Sequence, residues 1–236
     1  MAQLWKIRLP DGRVLTPGDW TSSEPLYSTV EIGAGPFPVL TAFSYGIGGG
    51  AVPGSPGPRR STLADTNLQG EGARLPENEE LIAYSLNIEA FLIGPDAADN
   101  ELPAVDPPDA NLVDMLRLQR DLLVITRIAF VKEYTRAPLS MFPASTGVVQ
   151  YNSAARTQVS AGVDGYVASN NGGASVCDGR QFASPLYIAG GESLAVDIRP
   201  GPGSVTNLGG TETGLPADSR YRLRLYFEGY RRRPVA

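Results

Sequence analysis

A chain of 236 residues, 42% hydrophobic and 19% charged, has room for one large β-sandwich or two small domains, and folding can bury roughly 70% of its unfolded surface. Its formal net charge of −5 opposes nonspecific nucleic-acid binding by the whole surface. The lone Cys177 excludes an intrachain disulfide framework, and the lack of histidine removes Ser-His-Asp and Cys-His catalysis and every histidine metal site.

The chain opens with a predicted strand over residues 4–9, a hairpin turn at Asp11-Gly12 and a returning strand from Val14. Residues 26–32 alternate, with Leu26, Ser28 and Val30 against Tyr27, Thr29 and Glu31. Residues 37–45 form a further apolar run broken by Pro38. Residues 46–79 are rich in glycine and proline, which exclude helix and central strand. They are expected to be an extended loop or arm rather than a domain linker, because the strands before them are too few for a core. The domain reading is therefore a single unit: N-terminal strands in 1–45, the loop or arm in 46–79 and the main body in 80–236.

Residues 80–94 alternate strongly. Ile82, Tyr84, Leu86, Ile88, Ala90 and Leu92 are assigned to one face and Leu81, Ser85, Asn87 and Glu89 to the other. An acidic, proline-bearing loop follows. Asn111 is then an N-cap candidate for a short helix on the spacing of Leu112, Met115, Leu116, Gln119 and Leu122-Leu123. Residues 123–134 read as one strand, 137–143 as an apolar loop, and 147–151 and Tyr166-Val167 as brief strands. The last quarter is strongly patterned: strands at 185–188, at 192–198 and, best of all, at 221–227. There Tyr221, Leu223, Leu225 and Phe227 alternate with Arg222, Arg224, Tyr226 and Glu228. Nine or ten short strands separated by turn signals, with 27 glycines and 20 prolines spread between them, indicate an antiparallel sandwich or barrel. A parallel α/β fold would need alternating helices.

Little of the sequence carries chemistry. A Ser-Lys pair would need Lys6 or Lys132, and nothing marks either as desolvated. Gly46 to Gly50 lack the lysine and helix N-terminus of a phosphate loop. Cys177 has only Arg180 as a basic neighbour and reads as a passive small residue. Asp96, Asp99, Glu101, Asp106 and Asp109 crowd the acidic loop 96–109 without the alternating spacing of the known calcium loop, so a solvated loop is expected there. Glu89 and Glu133 could in principle serve a carboxylate-only glycosidase. No leader peptide or membrane-spanning run is expected, nor any cofactor, metal or small-molecule substrate.

Of the 20 basic residues only Lys6 and Lys132 are lysines; arginine's planar fork suits interface pairing with carboxylates. Arg231, Arg232 and Arg233, with Arg220, Arg222 and Arg224 upstream and Tyr221, Tyr226 and Tyr230 interleaved, form the sole basic cluster. A partner interface and a solvated polar face both fit it, and nucleic acid ranks below them. The candidate interface residues are Arg224, Tyr226, Tyr230, Arg231, Arg232 and Arg233. Tyr27, Tyr45, Tyr166 and Tyr187 are the candidates for a competing reading, a carbohydrate-binding or tail-adaptor β-sandwich.

One resemblance is carried by three segments. Ala137-Pro138-Leu139-Ser140-Met141-Phe142-Pro143-Ala144 is followed by two strands flanking Gly191-Glu192, in Pro185 to Leu194. The chain then closes on Leu223-x-Leu225-x-Phe227-x-Gly229-x-x-x-Arg233-Pro234-Val235. Over residues 120–236 this resembles jelly-roll virion structural proteins of bacteriophages, both capsid-shell subunits and capsid-decorating (cement) proteins. The resemblance implies a single jelly-roll-like antiparallel β-sandwich with long Gly/Pro loops and one short helix. It further implies a non-enzymatic subunit made in a host cytoplasm and resident in the virion, acting as a homo-oligomer, a trimer first of all, alongside other capsid proteins.

Overall fold

The computed structural model describes residues 7–8, 12, 14–15, 24–33, 37–55, 60–69, 73–93, 118–129, 132–142, 149–153, 166–170, 180–200 and 220–232. The expectations for Asn111, for Cys177, for Arg233 and for the acidic loop 96–109 lie outside these residues. Strands β1 (Ile7–Arg8) and β2 (Val14–Leu15) pair as the expected N-terminal hairpin, with Ile7 opposite Leu15. β8 (Val149–Ser153) and β9 (Tyr166–Asn170) form a second small antiparallel pair.

The remaining eight strands make two antiparallel four-stranded sheets. They are β3 (Leu26–Gly33), β4 (Leu40–Ala42), β5 (Glu80–Ile93), β6 (Leu122–Ile128), β7 (Lys132–Pro138), β10 (Arg180–Ile188), β11 (Leu194–Pro200) and β12 (Arg220–Arg232). One sheet has the order β10-β5-β12-β3 and the other β4-β11-β6-β7. The protein is thus mainly β, as its alternating pattern requires.

β12 anchors the first sheet, paired along its length with β5 and over Arg220–Phe227 with β3. Its alternation places Tyr221, Leu223, Leu225 and Phe227 in the core. Leu194, Val196 and Ile198 of β11 and Val124 and Ile128 of β6 belong to the same core from the second sheet. Complete burial of each such side chain contributes about 1.5–3 kcal/mol. Phe43, just after β4, closes one side with its ring 5.3 Å from that of Phe227. Its φ of 62° is left-handed, a conformation that costs a non-glycine residue about 1–2 kcal/mol. Burial of the ring and a 2.9 Å hydrogen bond from its N–H to Ser28 Oγ oppose that cost.

The facing of β5 departs from the sequence expectation. The core contains Leu81 and Ala83, then Leu86, Ile88 and Ala90. Ile82 and Tyr84 are therefore not in phase with Leu86. The reason is a β-bulge: Glu228 of β12 lies opposite Ser85, but Gly229 lies opposite Ala83, leaving Tyr84 as an extra residue. One added residue inverts every side chain beyond it. Gly229 is required at this irregularity, because a Cβ there would lie 1.8 Å from the carbonyl oxygen of Ile82.

Two other expectations are corrected. Residues 123–134 are not one strand. They supply β6 and the beginning of β7, which turn at Ala129 (φ 53°) and pair Ile128 with Lys132. Helical residues 118–121 are the described part of the expected helix, and Leu122 begins β6 instead of ending it. Residues 46–79, expected as an extended loop or arm, are, where described, a loop packed against the sandwich. Val52, Leu68 and Leu75 are buried, and the loop satisfies the outer edge of β3. Glu31 N–H donates to Pro53 O at 2.8 Å, Thr66 Oγ1 donates to Tyr27 O at 2.9 Å, and Asn67 Oδ1 accepts from Tyr27 N–H at 2.9 Å. A covered edge no longer templates another strand.

Candidate interaction surface

The outer face of the β10-β5-β12-β3 sheet follows directly from the alternation of β12. Residues that interleave with its core side chains are Arg220, Arg222, Arg224, Tyr226 and Glu228, and Tyr230 continues the row. At one end the face is closed. Glu31 and Arg222 are cross-strand partners, both buried, with Arg222 Nη2 donating to Glu31 Oε1 at 2.8 Å. Arg220 Nε completes an ion pair with the other carboxylate oxygen at 2.9 Å. One buried carboxylate thus holds two guanidinium groups.

Toward the other end the face is half-exposed and rich in tyrosine. Tyr27 and Tyr226 are cross-strand neighbours with ring centroids 6.1 Å apart. Tyr226 hydroxyl donates to Glu89 Oε2 at 2.9 Å. Tyr84 and Tyr230 meet edge to face at 5.5 Å, a favoured aromatic geometry. Tyr187 hydroxyl donates to Glu80 Oε1 at 2.9 Å, and Arg232 Nη1 donates to the other oxygen of Glu80 at 3.2 Å. Arg224 Nη2 reaches Ala64 O at 3.3 Å, tying the sheet to the 60–69 loop.

Desolvation raises the phenol pKa of Tyr226, with the Glu89 charge adding to it; it does the same to Tyr84, with Tyr230 adding, and it raises Tyr27. Desolvation also raises the Glu228 carboxyl. All four effects come from withdrawing polar groups from water on one patch.

The expected interface residues therefore have different fates. Arg224, Tyr226, Tyr230 and Arg232 lie along this strip. Arg231 points to the other side of the strand and is 0% exposed, with its guanidinium bound to Glu79. The strip also takes in two of the tyrosines proposed for sugar binding, Tyr27 and Tyr187. Tyr45 is buried behind β3 with its hydroxyl bonded to Thr29 O, and burial pushes its pKa up to about 12. Tyr166 begins β9.

The two carboxylates considered for glycoside chemistry are separated by the whole sandwich. Glu89 is on the outer face of β5, bonded to Tyr226. Glu133 is exposed in β7 of the other sheet and paired with Arg136 at 2.8 Å. They cannot flank one glycosidic bond. That second outer face carries its own network: Asp197 accepts from Thr41 Oγ1 at 2.9 Å and pairs with Arg127 at 2.7 Å and Arg199 at 3.1 Å.

Sequence reading placed Glu31 and Glu228 on strand faces without giving either a role, and it overlooked Glu79 and Asp197. The polar phase of β12 carried the signal for Glu228, and that of residues 26–32 carried it for Glu31. Glu79 pairs with an arginine 152 residues away, so nothing local marks it; Asp197 has Arg199 two residues on, but its partners Arg127 and Thr41 are 70 and 156 residues away. Among the described residues no group of three or more acidic, histidine or cysteine side chains could hold a metal ion, and no helix is long and apolar enough to cross a membrane. In comparison with known proteins, the chain matches no family model, no curated protein and no solved structure.

Proposed function

We propose that the chain is a jelly-roll virion structural subunit of a bacteriophage, either in the capsid shell or decorating it, which acts by self-assembly and by contacts with other capsid proteins. The observation that carries the reading is the order of the eight sandwich strands. Numbered along the chain from β3, and leaving aside the two small hairpins, one sheet runs sixth, third, eighth, first and the other second, seventh, fourth, fifth. Every neighbouring pair is antiparallel. This order supports the jelly-roll reading, an architecture of two Greek keys used by viral capsid proteins and by lectin and cupin domains.

Fold alone does not select among those roles. The resemblance of the C-terminal half to phage virion proteins favours the capsid. Its segments coincide with the end of β7 and the following 3-10 turn (Leu139–Met141), with the β10–β11 corner, and with β12. The Tyr/Arg strip on the outer face adds the side-chain types enriched at protein interfaces. Mass spectrometry of purified particles, with electron microscopy of the same sample, tests the proposal. Detection of the chain at a fixed stoichiometry to the other shell proteins is expected; its absence from every particle refutes the reading.

A further inference from the structure

Glu228 is anomalous among the acidic residues. It sits on the outer face of β12 between Tyr226 and Tyr230, opposite Ser85 of β5. It is half-buried, yet among the described residues it has no hydrogen-bond or ion-pair partner. Among the described residues every other buried or half-buried carboxylate has a donor: Glu31, Asp65, Glu79, Glu80, Glu89, Asp121, Glu192 and Asp197 are all bonded. Withdrawing a carboxylate from water without a compensating donor is unfavourable, and desolvation accordingly raises its pKa. The hydroxyl of Tyr226 is held by Glu89 and the ring of Tyr230 packs on Tyr84. The flanking groups are therefore fixed in place, and among the described residues none supplies a donor to Glu228.

The arginines contain the complementary anomaly. Arg74, Arg120, Arg127, Arg136, Arg199, Arg220, Arg222, Arg224, Arg231 and Arg232 each have an interaction within the chain. Arg60 is exposed and has none. It is held in a bridge to Ala51, and the adjoining hydrogen bond from Gly48 N–H to Ser61 O places Ile47 in the same loop. The same loop carries Ile47 and Leu63, 42% and 63% exposed. Exposed arginine and apolar side chains on one loop are residue types found at contact surfaces.

We propose that Glu228 receives Arg60 from a second copy of this chain. The inference rests on the reading of the protein as a self-assembling subunit and names one of its contacts. A guanidinium matches the site for two reasons: its fork fits a carboxylate, and its plane is attracted to the tyrosine rings on either side. Each copy offers Arg60 to one neighbour and Glu228 to another, a head-to-tail contact that closes into a ring when the rotation permits.

The test is a charge swap in the full chain, with self-association followed by sedimentation equilibrium and folding by circular dichroism. Glu228→Arg and Arg60→Glu are each expected to weaken association about tenfold or more, and the double variant to restore it. Glu228→Gln, which keeps the side-chain shape, is expected to weaken association with an unchanged spectrum, and it replaces Glu228→Arg should that variant not fold. Undiminished association in the single variants overturns the contact while leaving the structural-subunit reading intact. A double variant as weak as the singles also overturns it. A wild-type chain that stays monomeric at every concentration, yet is found in purified particles, overturns the contact alone. A monomeric chain absent from particles removes both readings.

Discussion

Arg231 and Glu79 form an ion pair sealed inside the sandwich: Arg231 is 0% exposed and donates from both Nε and Nη2 to Glu79 Oε2, the former at 2.8 Å. It joins the last turns of β12 to the residue just before β5. Removing one member leaves a buried charge uncompensated, a loss of about 3–5 kcal/mol. Glu79→Ala is expected to lower the urea midpoint accordingly. Replacing both residues together, as in Glu79→Leu with Arg231→Met, is expected to recover most of the loss, because apolar isosteres need no partner. Equilibrium urea unfolding of the four proteins measures this coupling.

Gly229 faces a backbone wall. A methyl group at this position meets Ile82 O at 1.8 Å and its carbonyl carbon at 2.8 Å, neither of which can rotate away. Gly229→Ala is expected to cost about 3 kcal/mol, the upper end of ordinary overpacking, or to prevent folding. Gly33→Ala is the control: a methyl there meets nothing within 4 Å and leaves the thermal midpoint unchanged or raised.

Glu228 makes stability depend on pH. Desolvation raises its pKa in the folded chain, so between the ordinary value of 4.5 and the raised value the native state binds more protons than the unfolded state. Stability then falls as pH rises through that window. Above it the full penalty of holding a desolvated carboxylate persists. Glu228→Gln is expected to remove this fall and to be the more stable protein at neutral pH. Chemical unfolding of both proteins as monomers, at a series of pH values from acid to neutral, supplies the comparison.

Ala129 turns the β6–β7 hairpin in the left-handed conformation, at φ 53°, with its N–H donating to Ser193 O at 2.9 Å. Glycine accepts this conformation without the Cβ conflict, at some cost in unfolded-chain entropy. Ala129→Gly is expected to raise stability by about 1 kcal/mol, which shifts the thermal midpoint upward by about 2–4 °C for a domain of this size. Ala129→Val is expected to shift it the other way.

Much of the fold was legible in the sequence wherever one strand had a clean period of two. β12 reads correctly from Tyr221 to Phe227 because its polar and apolar residues alternate without interruption and its two neighbours pair with it in register. β3 and β11 read correctly for the same reason. β5 looked equally regular, and it was misread from Ile82 to Tyr84. Apolar side chains occur at both phases there, and nothing in the residues themselves announces the bulge. The 123–134 run failed differently: Ile128 and Ala129 are apolar into the turn, so hydrophobicity conceals a reversal that Ala129 makes by backbone conformation.

The alternation of residues, the spread of glycine and proline, and the absence of histidine were enough to establish an antiparallel β protein and to place arginine and tyrosine on one face of its last strand. Those properties depend on chain neighbours two residues apart. Only the tertiary structure decided which of these side chains are committed and which are available. Arg231 is buried against Glu79, Arg222 against Glu31, and Tyr226 holds Glu89, whereas Glu228 and Arg60 have no side-chain partner among the described residues. The first three of these partnerships span 152, 191 and 137 residues. Burial and pairing are set by elements brought together from distant parts of the chain, and a local pattern carries no record of them.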